Sequence, residues 1–381
     1  MHAAVSPEAT SRVDTVSAPT RSAPTRSAPT RWASVDALRG ITVAAMLLVN
    51  NPGDWGHVYA PLLHSEWHGI TPTDLIFPLF LFIVGVSIAL AVTPRLERGE
   101  PRSVLAKTVL ARAARIFGLG LLLHLCALWA FDLPHYRVMG VLQRIGLCFG
   151  AAGLLTLYVR PRLQWAILVA LLVGYSMLLA SGGSYAPFDN IASRLDHALL
   201  GVHVYQIEPG SGRGHDPEGL VSTLGALATT LLGVRAGSWL RDGRVRWLWA
   251  AGAIALVAGQ VWSLALPLNK NLWTPSYALW TGGAACLLLA LCHWLVDRRG
   301  LPAWGRAFGV NAIAAYAGSA FLLYALAALG WLAPAYQHGF ADWMTPRFGP
   351  YVPSLAYALS FVAIWWVVVR WLDARKLYFK I

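Results

Sequence analysis

From Thr73 to Thr93 the chain reads TDLIFPLFLFIVGVSIALAVT, 21 residues whose one charge, Asp74, stands at the second position. A bilayer core about 30 Å thick asks for roughly 20 apolar residues per helical crossing. A helix is the natural state of such a run in lipid, because it satisfies its own backbone polar groups. The stretch 73–93 therefore reads as a transmembrane helix. Similar runs lie outward from it at 34–51, 105–130, 138–158, 164–181, 218–240, 246–267, 274–296, 308–332 and 354–372. The 105–130 run is long enough to hold a break. The expected fold class is all-α, a polytopic integral membrane protein with about ten transmembrane helices. Composition points the same way: 57% of the 381 residues are hydrophobic and 13% charged, too few charges to cover a soluble domain.

The formal net charge of +12 would suggest nucleic acid in a soluble protein. Its distribution along this chain excludes that partner. Arg31 and Arg39, Arg95 to Arg115, Arg160 and Arg162, Arg235 to Arg246, Arg298 to Arg306, and Arg370 to Lys380 all share one side if the runs alternate in direction. The opposite connections hold only Arg137, Arg194, Arg213, Lys270 and Arg347. Basic loops stay cytoplasmic, so both termini are expected inside (N-in/C-in) and the Asn50–Thr73 loop outside. The expected location is the inner (cytoplasmic) membrane, with the lipid bilayer as the chain's main surroundings.

Residues 1–31 differ in kind. Ser-Ala-Pro-Thr-Arg occurs three times between Ser17 and Arg31, without apolar periodicity or the apolar centre of a signal peptide. Such composition cannot bury enough surface to order itself, so a disordered cytoplasmic tail is expected, with one membrane unit over 32–381. The four cysteines, Cys126, Cys148, Cys286 and Cys292, lie within the apolar runs and lack the spacing of a metal site. They read as packing residues.

The outer connections hold the polar residues that ordinary solvation explains least. The Asn50–Thr73 loop has His57, His64 and His68 and no Lys or Arg. Thr71-Pro72-Thr73-Asp74 has the form of a helix start, so Asp74 answers both to capping and to a functional role. Asp216-Pro217-Glu218 resembles a second start, at the head of the sixth run. Gln143 and Arg144 sit inside the fourth run, where a charge normally faces a partner or a polar cavity. Asn311 is expected to bond between helices. With alternating runs, Asn50, His64, Asp74, Arg137, Gln143, Arg144, Asp216, Asn269, Lys270 and Asn271 all lie toward the outer face. Together they suggest a polar pocket opening outward.

A series of separated motifs gives this pocket a likeness. Arg39-Gly40, Val49-Asn50 and His64-x-x-Trp67-x-Gly69-x-Thr71-x-x-Asp74-Leu75-Ile76-Phe77-Pro78 come first. Gly140 to Arg144, Asp216 to Gly219, Asn269 to Trp273 and Phe379 to Ile381 follow in order. They resemble the catalytic-domain family of heparan-α-glucosaminide N-acetyltransferase, over residues 32–381. The resemblance implies an acyltransferase that carries acetyl from cytosolic acetyl-CoA, as co-substrate, to the amine of an amino sugar across the membrane. It marks His64 as catalytic with Asn50 beside it. Gln143, Arg144, Asp216, Asn269, Lys270, Asn271 and Trp273 fall in these motifs and Arg137 lies just ahead of one; together they are expected to bind acceptor or CoA. Two features depart from the family pattern: the repeat tail ahead of the membrane unit, and Ser319 where the family shows a histidine.

The residue types suit that chemistry. An amine attacks a thioester only when unprotonated, and histidine, with an ordinary pKa of about 6.5, is a base for neutral pH. Asp74 would hold the His64 tautomer, and Asn50 would donate to an oxyanion. Whether His64 carries acetyl or only moves protons is not written in the sequence. No metal is called for. A transporter of amino sugars or oligosaccharides is the alternative use of such a pocket, and self-association stays open.

Overall fold

The computed structural model describes residues 32–379 together with His2. Apart from His2, the expected tail over 1–31 lies outside the described residues, as do Lys380 and Ile381. The long helices are α1 (Ala33–Asn50), α2 (Ile76–Glu97), α3 (Arg102–Ala130), α4 (Val141–Tyr158) and α5 (Pro161–Ser181). A short α6 (Ile191–Leu200) precedes α7 (Thr223–Arg241), α8 (Arg246–Trp262) and α9 (Pro275–Cys292). Then come α10 (Arg306–Val310), α11 (Ala312–Ala328), α12 (Leu332–Tyr336), α13 (Asp342–Phe348) and α14 (Tyr351–Ala374). The strands among the described residues are one antiparallel pair, Gln206–Ile207 with Gly214–His215.

Each of the ten apolar runs meets a helix, yet fewer than ten helices qualify as crossings by length and composition. Among the described residues seven do, or eight if α11 and the α12–α13 segment, bent by 106° at their junction, count as one span. The helices of the sixth and seventh runs fall short: α8 has 17 residues, and α7 carries Thr229, Thr230 and Arg235. The reason for α7 lies in its neighbours. Its buried residues include Gly225, Ala226, Ala228, Gly233, Ala236 and Gly237, so it faces protein and needs small side chains more than large apolar ones.

That packing is close. A side chain at Gly85 of α2 would overlap the Thr230 carbonyl, and one at Gly233 of α7 would overlap the Phe82 carbonyl. Around this α2–α7 seam lie Leu81, Ile88, Ala89, Leu231 and Val234, with Ile145, Cys148 and Ala152 from α4, all buried. The four cysteines are free.

Local signals read correctly in part. Asp36 in the first turn of α1 pairs with Arg39 at 3.3 Å. The 105–130 run holds no break, since α3 is continuous. The sixth run does not begin at Asp216-Pro217-Glu218. α7 starts at Thr223, and residues 216–222 form turns that carry the two carboxylates elsewhere. The ninth run breaks at Asn311, between α10 and α11. Asn311 is fully buried, and its amide has no hydrogen bond, contrary to the expected bond between helices.

Candidate active site

The connection from α1 to α2 returns to the bundle through a 3-10 turn, Pro72–Leu75. Its capping arrangement decides the geometry of the site. Asp74 Oδ2 accepts from the Thr71 amide at 2.9 Å, the Thr71 hydroxyl at 3.1 Å and the Ser65 amide at 3.1 Å. The second oxygen, Oδ1, is thereby left to His64 Nδ1, 2.7 Å away. An ionised carboxylate only accepts, so Nδ1 bears the proton and Nε2 keeps its lone pair. Asp74 thus caps its turn and orients the imidazole at once. The acid is fully buried while the His64 side chain is 48% exposed, so the pair presents a basic nitrogen outward from a fixed base.

Hydrogen bonds to other elements hold this part of the loop in place. The Tyr277 hydroxyl of α9 donates to the Asp74 carbonyl at 2.5 Å. The Gly69 amide donates to the Leu268 carbonyl at 2.8 Å. Trp67 Nε1 donates to the Tyr185 carbonyl at 2.7 Å.

The turn between α8 and α9 completes the cluster. Asn269 is fully buried; its Oδ1 accepts from the Leu272 amide at 2.8 Å, and its Nδ2 lies 3.3 Å from His68 Nδ1. This folds the turn so that Lys270 Nζ stands 2.9 Å from His64 Nε2. Burial lowers the Lys270 pKa from its ordinary value, against the pull of Glu218 and Asp74. Burial likewise lowers that of His68. Trp273 ends the turn in a left-handed conformation, φ 48°. Its indole donates to Thr229 at 3.0 Å and packs edge-on to Phe77. It is a wall of the core and does not reach the open side of the cluster.

Behind the histidine sits a network of charge. Arg137 grips Asp216 with two bonds, 2.9 Å from Nε and 2.6 Å from Nη2. The same Nη2 reaches Glu218 at 2.6 Å. Burial works against ionisation of Glu218, and the guanidiniums of Arg137 and Arg144 overcome it, holding its pKa at about 2. Arg144 is fully buried; it donates to the Gly219 carbonyl at 3.1 Å and to the Ser222 hydroxyl, and lies over the Trp273 ring. Its Nε and Nη1 have no partner, and neither has Gln143 Oε1. Unpaired buried polar atoms are costly, and these three mark a place for water or a ligand group.

Among the predicted site residues, the structure joins His64, Asp74 and Lys270 directly, with Asn269 shaping the turn. Arg137, Asp216, Gln143 and Arg144 stand behind them. Asn271 is half-buried, and its amide has no hydrogen bond among the described residues. Asn50 goes elsewhere. It lines a separate cavity of about 850 Å³ with Trp55, Phe131, Tyr336, Gln337, His338 and Tyr357, and no hydrogen bond links it to His64. Sequence reasoning treated Glu218 as a cap and overlooked Tyr277 and Ser65. Glu218 had a visible signal, two residues from Asp216. The other two act through backbone groups and had none.

Residues 31–265 match the family model described as heparan-alpha-glucosaminide N-acetyltransferase, catalytic. The human protein named heparan-alpha-glucosaminide N-acetyltransferase is 29% identical over 351 residues, covering 75% of this chain and 52% of that protein. The mouse protein of the same name is 27% identical over 373 residues, covering 81% and 56%. The chain thus spans about half the length of the curated relatives it matches. The matched region takes in His64, Asp74, Arg137, Arg144 and Asp216, and ends just before the Lys270 turn.

Proposed function

The chain belongs to the heparan-alpha-glucosaminide N-acetyltransferase catalytic family, and on that premise we propose that it acetylates the amine of an amino sugar with acetyl-CoA as donor. We place the catalytic unit at 32–381, crossed by ten helices in the inner membrane, with both termini in the cytoplasm and the His64 loop outside. The observation that carries the reading is the His64–Asp74 pair, a buried acid fixing an exposed basic nitrogen.

In the direct route the neutral acceptor nitrogen attacks the thioester carbonyl. A C–N bond forms, the carbonyl oxygen becomes an oxyanion, and His64 Nε2 takes the proton the nitrogen sheds. The C–S bond then breaks, and the proton passes to the CoA thiolate. In the covalent route the same lone pair attacks the thioester carbonyl and the C–S bond breaks, releasing the CoA thiolate. The acceptor amine then attacks the acetyl-imidazole, the bond to Nε2 breaks, and the amine's proton passes through Nε2 to the thiolate. Both need Nε2 unprotonated, which is the tautomer that Asp74 selects. Lys270 Nζ is nearly equidistant from Nε2, at 2.9 Å, and Nδ1, at 3.1 Å, so it lies over the imidazole rather than along the Nε2 lone pair, where the acceptor nitrogen would stand. Asn50 stays a candidate for the oxyanion only on the strength of the motif, since it lines a cavity separate from that of His64. Arg137, Gln143, Arg144, Asp216, Asn269, Asn271 and Trp273 form or support the binding walls.

The test is transfer from radiolabelled acetyl-CoA to a panel of amino sugars by purified protein. His64→Ala should lose on the order of 10²–10⁴-fold in rate with its helical content unchanged. Near-normal transfer by that variant would overturn the assignment.

A further inference from the structure

A second cavity, of about 730 Å³, opens at the opposite end of the bundle from His64. It lies among the last turns of α2, α4 and α7, the first turns of α3 and α5, and the α7–α8 connection. Five arginines line it, Arg102, Arg160, Arg235, Arg241 and Arg244, against two carboxylates, Glu97 and Asp242. Both carboxylates are taken by one arginine: Arg241 Nη2 is 3.1 Å from Glu97 and 3.2 Å from Asp242. Arg241 Nη1 is nevertheless buried without a partner.

Arg235 is aimed into the cavity by a dedicated contact. Gln164 is buried; its amide nitrogen donates to the Leu155 carbonyl at 3.1 Å and to the Val159 carbonyl at 2.7 Å. That fixes its oxygen, which accepts from Arg235 Nη2. No carboxylate pairs with Arg102, Arg160, Arg235 or Arg244 among the described residues. Like charges crowded in one cavity repel unless an anion joins them, and guanidinium forks match phosphate oxygens.

We propose that this cavity binds a phosphate ester, and that an anionic phospholipid head group is its occupant. On the orientation proposed above it faces the cytoplasmic leaflet, where basic pockets between helices take anionic head groups. The exposed Tyr158 and the half-buried Trp239 at its rim suit the interface. A soluble phosphate ester such as the nucleotide end of the donor shares the chemistry. The lipid is favoured because the packed α2–α7 seam closes the path from this cavity to the His64 end between those helices.

The full chain in nanodiscs of phosphatidylcholine, with and without phosphatidylglycerol, tests this by native mass spectrometry of retained lipid. Arg160 and Arg244 are exposed, so Arg160→Gln with Arg244→Gln should fold normally. Wild type should retain phosphatidylglycerol, and the double variant should hold it on the order of tenfold more weakly, as expected for losing charge-assisted bonds. Parallel titrations use inorganic phosphate and a soluble adenosine bisphosphate. Tight binding of the bisphosphate, with a raised KM for acetyl-CoA in the double variant, would keep the phosphate site and assign it to the donor. Equal retention of both lipids by both proteins, with no binding of either soluble phosphate, would overturn the proposal. Loss of acetyl transfer by His64→Ala reports on the other end of the bundle, so the two readings fail separately.

Discussion

Replacing Asp74 by asparagine separates its two roles. Asparagine can keep its oxygen at the Oδ2 position, where Thr71 and Ser65 supply three donors, so the turn stays capped. The amide nitrogen then faces His64 Nδ1, where an acceptor stood at 2.7 Å. It can only donate there, so the imidazole must move its proton to Nε2 and lose the outward lone pair. Rate should fall on the order of 10²–10⁴-fold; inverting the tautomer in serine proteases costs about 10⁴. Stability should change little, by about 1–2 kcal/mol for weakened charge-assisted bonds. Asp74→Ala removes the acceptor from all four donors and should cost roughly 2–4 kcal/mol as well as activity. The assay pairs acetyl transfer at saturating acetyl-CoA with thermal unfolding followed by circular dichroism. Near-wild-type turnover in Asp74→Asn, with a dead and unstable Asp74→Ala, would refute the reasoning and leave Asp74 as a cap alone.

Four further outcomes are expected. Asn50→Ala should lower kcat on the order of 10²-fold if its amide meets the oxyanion, and a normal kcat with raised KM would confine it to its cavity. Arg137→Gln leaves Asp216 and Glu218 buried without their cation, so it should cost about 3–5 kcal/mol and reduce folded yield; unchanged thermal stability would contradict the network. Burial pushes Asp196 up to about 6 and His215 down to about 4, so their contributions to stability run in opposite directions with pH. The raised acid favours the fold below about 4, and that contribution is lost as pH rises toward 6. The lowered base favours the fold above about 6.5, and that contribution is lost as pH falls toward 4. Asp196→Asn should therefore be stabilised relative to wild type as pH rises through this window, and parallel melting curves for the two proteins would count against it. Cysteines placed at Ser65 and Ser103 should react with an impermeant thiol reagent from opposite faces of the membrane, and labelling of both from one face would end the proposed orientation.

Much of this molecule is legible locally. Apolar runs of bilayer length mark every long helix, because crossing lipid imposes a requirement each segment meets alone. Thr71-Pro72-Thr73-Asp74 declares its turn because capping links residues three apart. The crowding of polar residues at the ends of alternate runs also shows in the string. What the string could not show is contact between distant segments. Lys270 meets His64 across 206 positions, and Tyr277 meets the Asp74 carbonyl across 203. Two motifs look alike in sequence, yet Asp74 caps its turn while Asp216 and Glu218 grip Arg137. Asn50 and His64 look adjacent along the chain but line different spaces, and α7 buries much of its surface against other helices, which its run did not show. Helix formation and capping act over a few residues, so the sequence alone determined the elements and their polar ends. Which of those ends meet, and which side chains remain open to a substrate, was decided by how the helices pack, and packing depends on the whole chain at once.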